Sequence, residues 1–186
     1  VSENLGKPFI HLEDNLDSLF YEISLHAKKY VCDILEYKDI FDYVITKSWL
    51  SRARRPDNEI RWHFHSTSHI SFVYYLSTPD NSHTLEFQNT CTKNDLFKAM
   101  NVEDEDTADR NMVKNYNPLN SPAFYMHPIE GHLVLFPSSL THHTRFMGGA
   151  FKGERLGIVG DITLMLKEDQ LNFSMGYIDN KYWKKY

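Results

Sequence analysis

From Ile60 onward the chain is written in short runs of β-branched and aromatic residues, IRWHFH, HISFVYYLS, TLEFQN, GHLVLFPSS, RLGIVGDITLML and LNFSMGYI, each bounded by turn-forming residues. No other feature constrains the fold as much. Runs this short that alternate or stay apolar are strands, and a chain holding so many of them must close its sheets on one another. The expectation is a mainly β domain. STPDNSH carries the Pro, Asp, Asn and Ser of a tight connection, which predicts that HISFVYYL and TLEF are antiparallel neighbours. HPIEGH reads as a second turn.

Ahead of this region, Leu19, Phe20, Ile23, Tyr30, Val31, Ile34 and Leu35 recur at helical spacing between Asp17 and Tyr43. One or two amphipathic helices are expected there, with a break between Tyr37 and Phe41, buttressing a sheet. The 186 residues suit a single domain over 1–186. Within it, 1–47 reads as a helical buttress and 48–178 as the β core. The segment 93–122, acidic between Glu103 and Asp109, is too long for a plain connection and reads as a surface loop or a lid over a site.

Charge and cysteine content narrow the function classes. A formal net charge of −5 argues against a general nucleic-acid binder, whose affinity depends on phosphate neutralisation. A local cluster, Arg52, Arg54 and Arg55, is either a solvated loop or a rim that steers an anion towards a cleft. Cys32 and Cys91 stand in no metal-binding spacing and read as reduced thiols, which points to the cytoplasm. No apolar run approaches the roughly 20 residues that span a bilayer, so no membrane partner is expected.

Eight of the ten histidines fall between His63 and His143. His63 and His65, two apart on one strand, would share a face, with Trp62 and Phe64 on the opposite, core-facing side. GHLVLFPSSLTHHTRF delivers His142 and His143 near the start of a following strand. One of these two could complete a three-ligand metal site with His63 and His65, leaving open positions for a chelating organic acid and dioxygen. His69, His83, His127 and His132 read as hydrogen-bonded structural residues. Alternation along RLGIVGDITLML puts Arg155, Gly157, Val159 and Asp161 on one face. A buried guanidinium there needs a carboxylate, either Asp161 or a bound dicarboxylic acid held through a bidentate pair. Ser138 and Ser139 have no GxSxG turn or ordered acid partner that would make either a hydrolase nucleophile.

The order SWLS, RWHFHSTSHISFVYYLSTPDNSHTLEF, IEGHLVLFPSSLTHHTRF and GERLGIVGDI resembles the iron(II)- and 2-oxoglutarate-dependent oxygenases, particularly a small phage and bacterial group with an HxH segment, an FPSxLxH segment and an Arg opening the last core strand. The resemblance covers roughly residues 48 to 162, and FPSSLTH is its most specific part. It implies a double-stranded β-helix, or jelly roll, with helices packed on one sheet. It also implies iron(II) held by His63, His65 and His142, and 2-oxoglutarate gripped through its far carboxylate by Arg155. The activity implied is hydroxylation of a small molecule or an amino-acid-like or peptide substrate by dioxygen, with release of succinate and CO2. Two positions depart from the pattern. His65 stands where most of the superfamily has Asp or Glu, so the site is either three-histidine and more electropositive, or two-histidine with His65 behind the metal. Gly157 stands where a hydroxyl is common, and Tyr74 or Tyr75 could replace it. Two other readings compete: a three-histidine cupin-like dioxygenase that needs no 2-oxoglutarate, and a non-catalytic jelly-roll binding module.

Overall fold

The computed structural model describes residues 3–4, 8–89, 114, 121, 123–168 and 184. Among these residues, eight strands form two antiparallel sheets. They are β1 (Glu3–Asn4), β2 (Phe41–Ala53), β3 (Ile70–Ser77), β4 (Thr84–Gln88), β5 (Ala123–Met126), β6 (Leu133–Pro137), β7 (His142–Arg145) and β8 (Arg155–Leu166). The larger sheet has the order β1-β2-β8-β3-β6 and the smaller one β5-β4-β7. This is a jelly roll, and the mainly β expectation holds.

One helix, α1 (Asp17–Lys29), continues into a π-helical turn over Tyr30–Ile34. Phe20, Ile23, Ala27 and Val31 recur every three or four residues and are all buried. Asp17 in the first turn and His26, Lys28 and Lys29 in the last complement the helix dipole. The buried stripe packs against Ile70, Phe72, Ile158 and Ile162 on the outer face of the larger sheet, the side away from the smaller sheet's core. Lys28 and Lys167 both reach Asp39, at 2.6 and 2.9 Å, which fixes the chain as it leaves the helix and enters β2.

The helical reading ran too far. The helical period ends by Leu35, Glu36 takes a left-handed backbone, and β2 begins at Phe41, inside the region read as buttress. A bulge between Ile45 and Lys47 then shifts the register of β2 against β8. Ile45 and Leu50, an odd number of residues apart, can therefore both pack outward with the helix, while Trp49 and Ser51 face inward.

The hairpin expected from STPDNSH is not formed. β3 pairs with β6 and β8, whereas β4 pairs with β5 and β7, so the turn carries the chain from one sheet to the other. Turn residues specify that the chain reverses, not which sheet receives it. IRWHFH forms no strand beyond a single bridge between His63 and His142. The segments 93–122 and LNFSMGYI lie almost wholly outside the described residues, with only 114 and 121 of them described.

Along β8 the alternation holds: Ile158 and Ile162 face the helix, and Arg155, Gly157 and Val159 face the space between the sheets. Gly160 has no room for a side chain, since a Cβ there would sit 2.5 Å from Phe72 Cζ and 2.6 Å from the Lys47 carbonyl. Gly160→Ala is expected to lower stability by about 1–3 kcal/mol, read as a lower urea midpoint at an unchanged denaturant slope.

Candidate metal centre

His142 opens β7, and its ring points between the sheets with 6% of the residue exposed. The segment before β3 lies along β7 without becoming a strand. The His63 amide donates to the His142 carbonyl at 3.0 Å, the His142 amide donates back at 2.9 Å, and the His65 amide donates to the Ser138 carbonyl at 2.8 Å. These bonds bring three imidazoles together: ring centroids are 4.2 Å apart for His63 and His142, 5.2 Å for His63 and His65, and 5.4 Å for His65 and His142. One ring nitrogen of each lies within 4.8 Å of the others.

The tautomers follow from the partners. Nδ1 of His63 lies 2.8 Å from the Arg61 carbonyl, and Nδ1 of His142 lies 2.9 Å from the Leu140 carbonyl. A carbonyl only accepts, so both nitrogens carry hydrogen. Nδ1 of His65 donates to Asp161 Oδ1 at 2.5 Å. In its neutral form each ring is thus left with a bare Nε2 lone pair. Three lone pairs converging at a partly buried point repel one another unless a cation stands between them, and neutral imidazole is a good ligand for iron, zinc or copper. The donor set fits a divalent transition metal.

Burial pushes the His142 imidazole down to about 4, with His63 and His65 adding to the effect and the Leu140 carbonyl opposing it. The ring is neutral and ligand-ready at physiological pH. In the unfolded chain it titrates near 6.5, so between about pH 6.5 and 4 the unfolded state binds the proton and the folded state does not. The metal-free protein is therefore expected to lose stability as pH falls through that window, by up to about 3 kcal/mol. Urea midpoints measured across pH for wild type and His142→Gln check this, the variant losing that part of the slope.

Asp161 answers the charge question raised by His65. It is 4% exposed and accepts from Ser71 Oγ at 2.8 Å as well as from His65. Burial alone would raise its carboxyl, but the hydrogen bonds from His65 and Ser71 outweigh that and hold it below the usual carboxylate range. The candidate site brings three imidazoles together, and a buried carboxylate stands directly behind one of them. Asp161 is consequently not the partner of Arg155. The sequence put Asp161 on the inward face but gave no sign of its contact with His65.

The imidazoles open into a cavity walled by Trp49, Val73, Tyr75, Leu85, Phe136 and Thr144, with Arg155, Gly157 and Val159 of β8 along one side. Arg155 is 5% exposed, and its Nη1 donates to the His83 carbonyl at 3.2 Å. No described carboxylate pairs with it, which is costly for a guanidinium. Its remaining N–H groups suit a carboxylate ligand. Tyr75 lines the cavity, whereas Tyr74 packs with the outer core. Tyr75 pairs across the sheet with Gly157, and a Cβ on that glycine would lie 3.8 Å from the Tyr75 ring, so the tyrosine borders the space a hydroxyl-bearing side chain would fill.

His143 faces the other way, 3.0 Å from Glu86 and stacked on Trp62 at 3.8 Å. Trp62 and Phe64 are 46% and 58% exposed, not core, because the bridge to β7 turns the histidines inward and their neighbours to the surface. His83 Nε2 donates to the Pro56 carbonyl at 2.9 Å, and His69 Nδ1 accepts from the Leu164 amide at 3.1 Å, as expected of structural histidines. Arg54 pairs with Glu154 at 2.9 Å and Arg55 with Asp57 at 3.2 Å, which favours the solvated-loop reading of that cluster. Trp49 of β2 stacks on His65 at 6.3 Å.

A family model described as a 2OG-Fe(II) oxygenase matches residues 47–161. No protein of curated function matches the chain by sequence. Among solved structures, the chain is similar to an oxidoreductase of the 2OG-Fe(II) oxygenase family from Burkholderia pseudomallei, with TM-score 0.52 and 12% identity, over 83% of this chain and 58% of that one. It is also similar to a non-heme alpha-ketoglutarate-dependent epimerase of nogalamycin biosynthesis, with TM-score 0.50 and 10% identity, over 93% and 72%. A prolyl-4-hydroxylase from Pseudomonas putida aligns with TM-score 0.46 and 15% identity, over 88% and 70%. The chain spans little more than half the length of the Burkholderia protein. At these identities the likeness to the Burkholderia protein and the epimerase speaks for the fold alone.

Proposed function

The chain belongs to the 2OG-Fe(II) oxygenases, which use iron(II) and 2-oxoglutarate, and from that premise we propose that it hydroxylates a small molecule or an amino-acid-like or peptide side chain. His63, His65 and His142 hold the metal through Nε2, and Arg155 grips the far carboxylate of 2-oxoglutarate with Tyr75 beside it. One observation carries the reading: three imidazoles with their Nδ1 groups already spent converge at a cavity that also holds a buried guanidinium with no carboxylate partner among the described residues.

When bound, iron(II) and 2-oxoglutarate supply the dioxygen-derived oxidant that attacks a substrate C–H bond. The chain's own residues prepare that event. The Arg61 and Leu140 carbonyls and Asp161 hold the three rings in ligand form. Arg155, six positions along β8 from Asp161, sets the direction in which a dicarboxylate lies across the inner face, with Gly157 and Val159 between them. Val73, Leu85 and Phe136 keep that wall apolar, excluding water and strengthening the charged contact. His63 and His65 are less buried than His142, so substrate approaches from their side. A cytoplasmic location suits this chemistry, because a compartment that keeps thiols reduced also keeps iron ferrous.

The three-imidazole donor set is the observation that favours a cosubstrate-free, cupin-like dioxygenase instead. The two readings separate on one assay: iron-loaded protein incubated with 2-oxoglutarate and dioxygen. Succinate formation that scales with enzyme is expected. Oxygen uptake without succinate would favour the cupin-like reading, and neither would favour a binding module.

A further inference from the structure

His63 and His142 each anchor Nδ1 on the carbonyl two residues back. His65 does not copy them: the carbonyl two residues before it, that of His63, accepts from the His142 amide, and the His65 Nδ1 turns to Asp161 instead. Asp161 fills the gap. Its carboxylate is reached through a chain of hydroxyls: Ser68 Oγ donates to Ser138 Oγ at 2.8 Å, Ser138 and Ser71 Oγ are 3.0 Å apart, and Ser71 Oγ donates to Asp161 Oδ1 at 2.8 Å. With Ser71 spent on the carboxylate, Ser138 must donate to Ser71, so the O–H groups run one way and end on Asp161. Ser71 and Ser138 are fully buried. A buried carboxylate is expensive unless it is hydrogen-bonded and paired. Here a single oxygen, Oδ1, accepts from both the Ser71 hydroxyl and the His65 imidazole.

Resting on the metal site proposed above, we infer that Asp161 is the carboxylate of this centre moved back by one imidazole: a positioning residue that fixes His65 with Nε2 towards the metal and offsets the metal's charge through the ring. The centre then has three neutral ligands and one carboxylate behind them, in place of two neutral ligands and one carboxylate on the metal. Outer partners of this kind orient ligating histidines, and losing one typically costs 10–100-fold in metal affinity.

The test uses cobalt(II) as an air-stable probe, titrated calorimetrically into the metal-free full chain. Asp161→Ala is expected to weaken binding by roughly 100-fold. Asp161→Asn, which keeps an acceptor but loses the charge, should fall between it and wild type. Ser71→Ala should weaken binding several-fold and serves if Asp161→Ala does not fold. Proton NMR of the cobalt form adds a readout that a merely structural role would not move: three exchangeable, hyperfine-shifted imidazole N–H signals in wild type and Asp161→Asn, with one lost to water exchange in Asp161→Ala. If wild type binds cobalt and the variants bind equally, with all three signals, the inference is overturned while the metal site stands. If wild type binds no cobalt, the metal reading fails and the inference with it.

Discussion

His142→Ala is expected to bind iron(II) more than about 100-fold more weakly than wild type, a larger loss than follows removal of a residue that only orients a ligand. His142 is the most buried of the three rings, and burial keeps it neutral. Its backbone is tied to His63 through two hydrogen bonds that alanine retains, so the framework around the missing ring survives. His143→Ala provides the control. One residue away, that ring faces Glu86 and Trp62 on the opposite side of β7, and iron binding should be unchanged. Equilibrium titration with iron(II) under argon reads both variants.

Arg155→Met is expected to leave iron binding intact and to weaken 2-oxoglutarate binding by about 2–5 kcal/mol, roughly 30-fold to several thousand-fold, the cost of removing one side of a buried charged pair. The same substitution should leave the ligand-free protein no less stable, because it replaces a guanidinium whose one described hydrogen bond goes to the His83 carbonyl with an apolar chain of similar length. Affinity lost with no loss of melting temperature would mark Arg155 as a binding group kept at a cost to the fold. Arg155→Lys should rescue little, since an ammonium cannot reproduce the planar two-point contact.

What could be read from the sequence and what could not divide along physical lines. The strands Ile70–Ser77, Thr84–Gln88, Leu133–Pro137 and Arg155–Leu166 were legible because their apolar residues are dense and bounded by turns. β2 was not, since FDYVITK mixes polar and apolar residues and lacks the dense apolar run of the later strands. Sheet membership was misread at STPDNSH because local turn chemistry is blind to crossing between sheets. His63, His65 and Arg155 were legible through spacing and alternation, and the choice of His142 over His143 through FPSSLTH. Asp161 as the support of His65 was not, because the two are 96 residues apart and only the closure of β8 against β3 brings them together. Trp62 and Phe64 were misplaced because alternation says which residues share a face, not which face is covered.

The most direct test of the central claim is an anaerobic titration of the metal-free protein with iron(II) and then 2-oxoglutarate, watching for the weak visible charge-transfer band of the chelate. The band should form only when both are present, saturate at one equivalent of each, disappear in His142→Ala and require far more 2-oxoglutarate in Arg155→Met. Iron binding with no band at any 2-oxoglutarate concentration would contradict it.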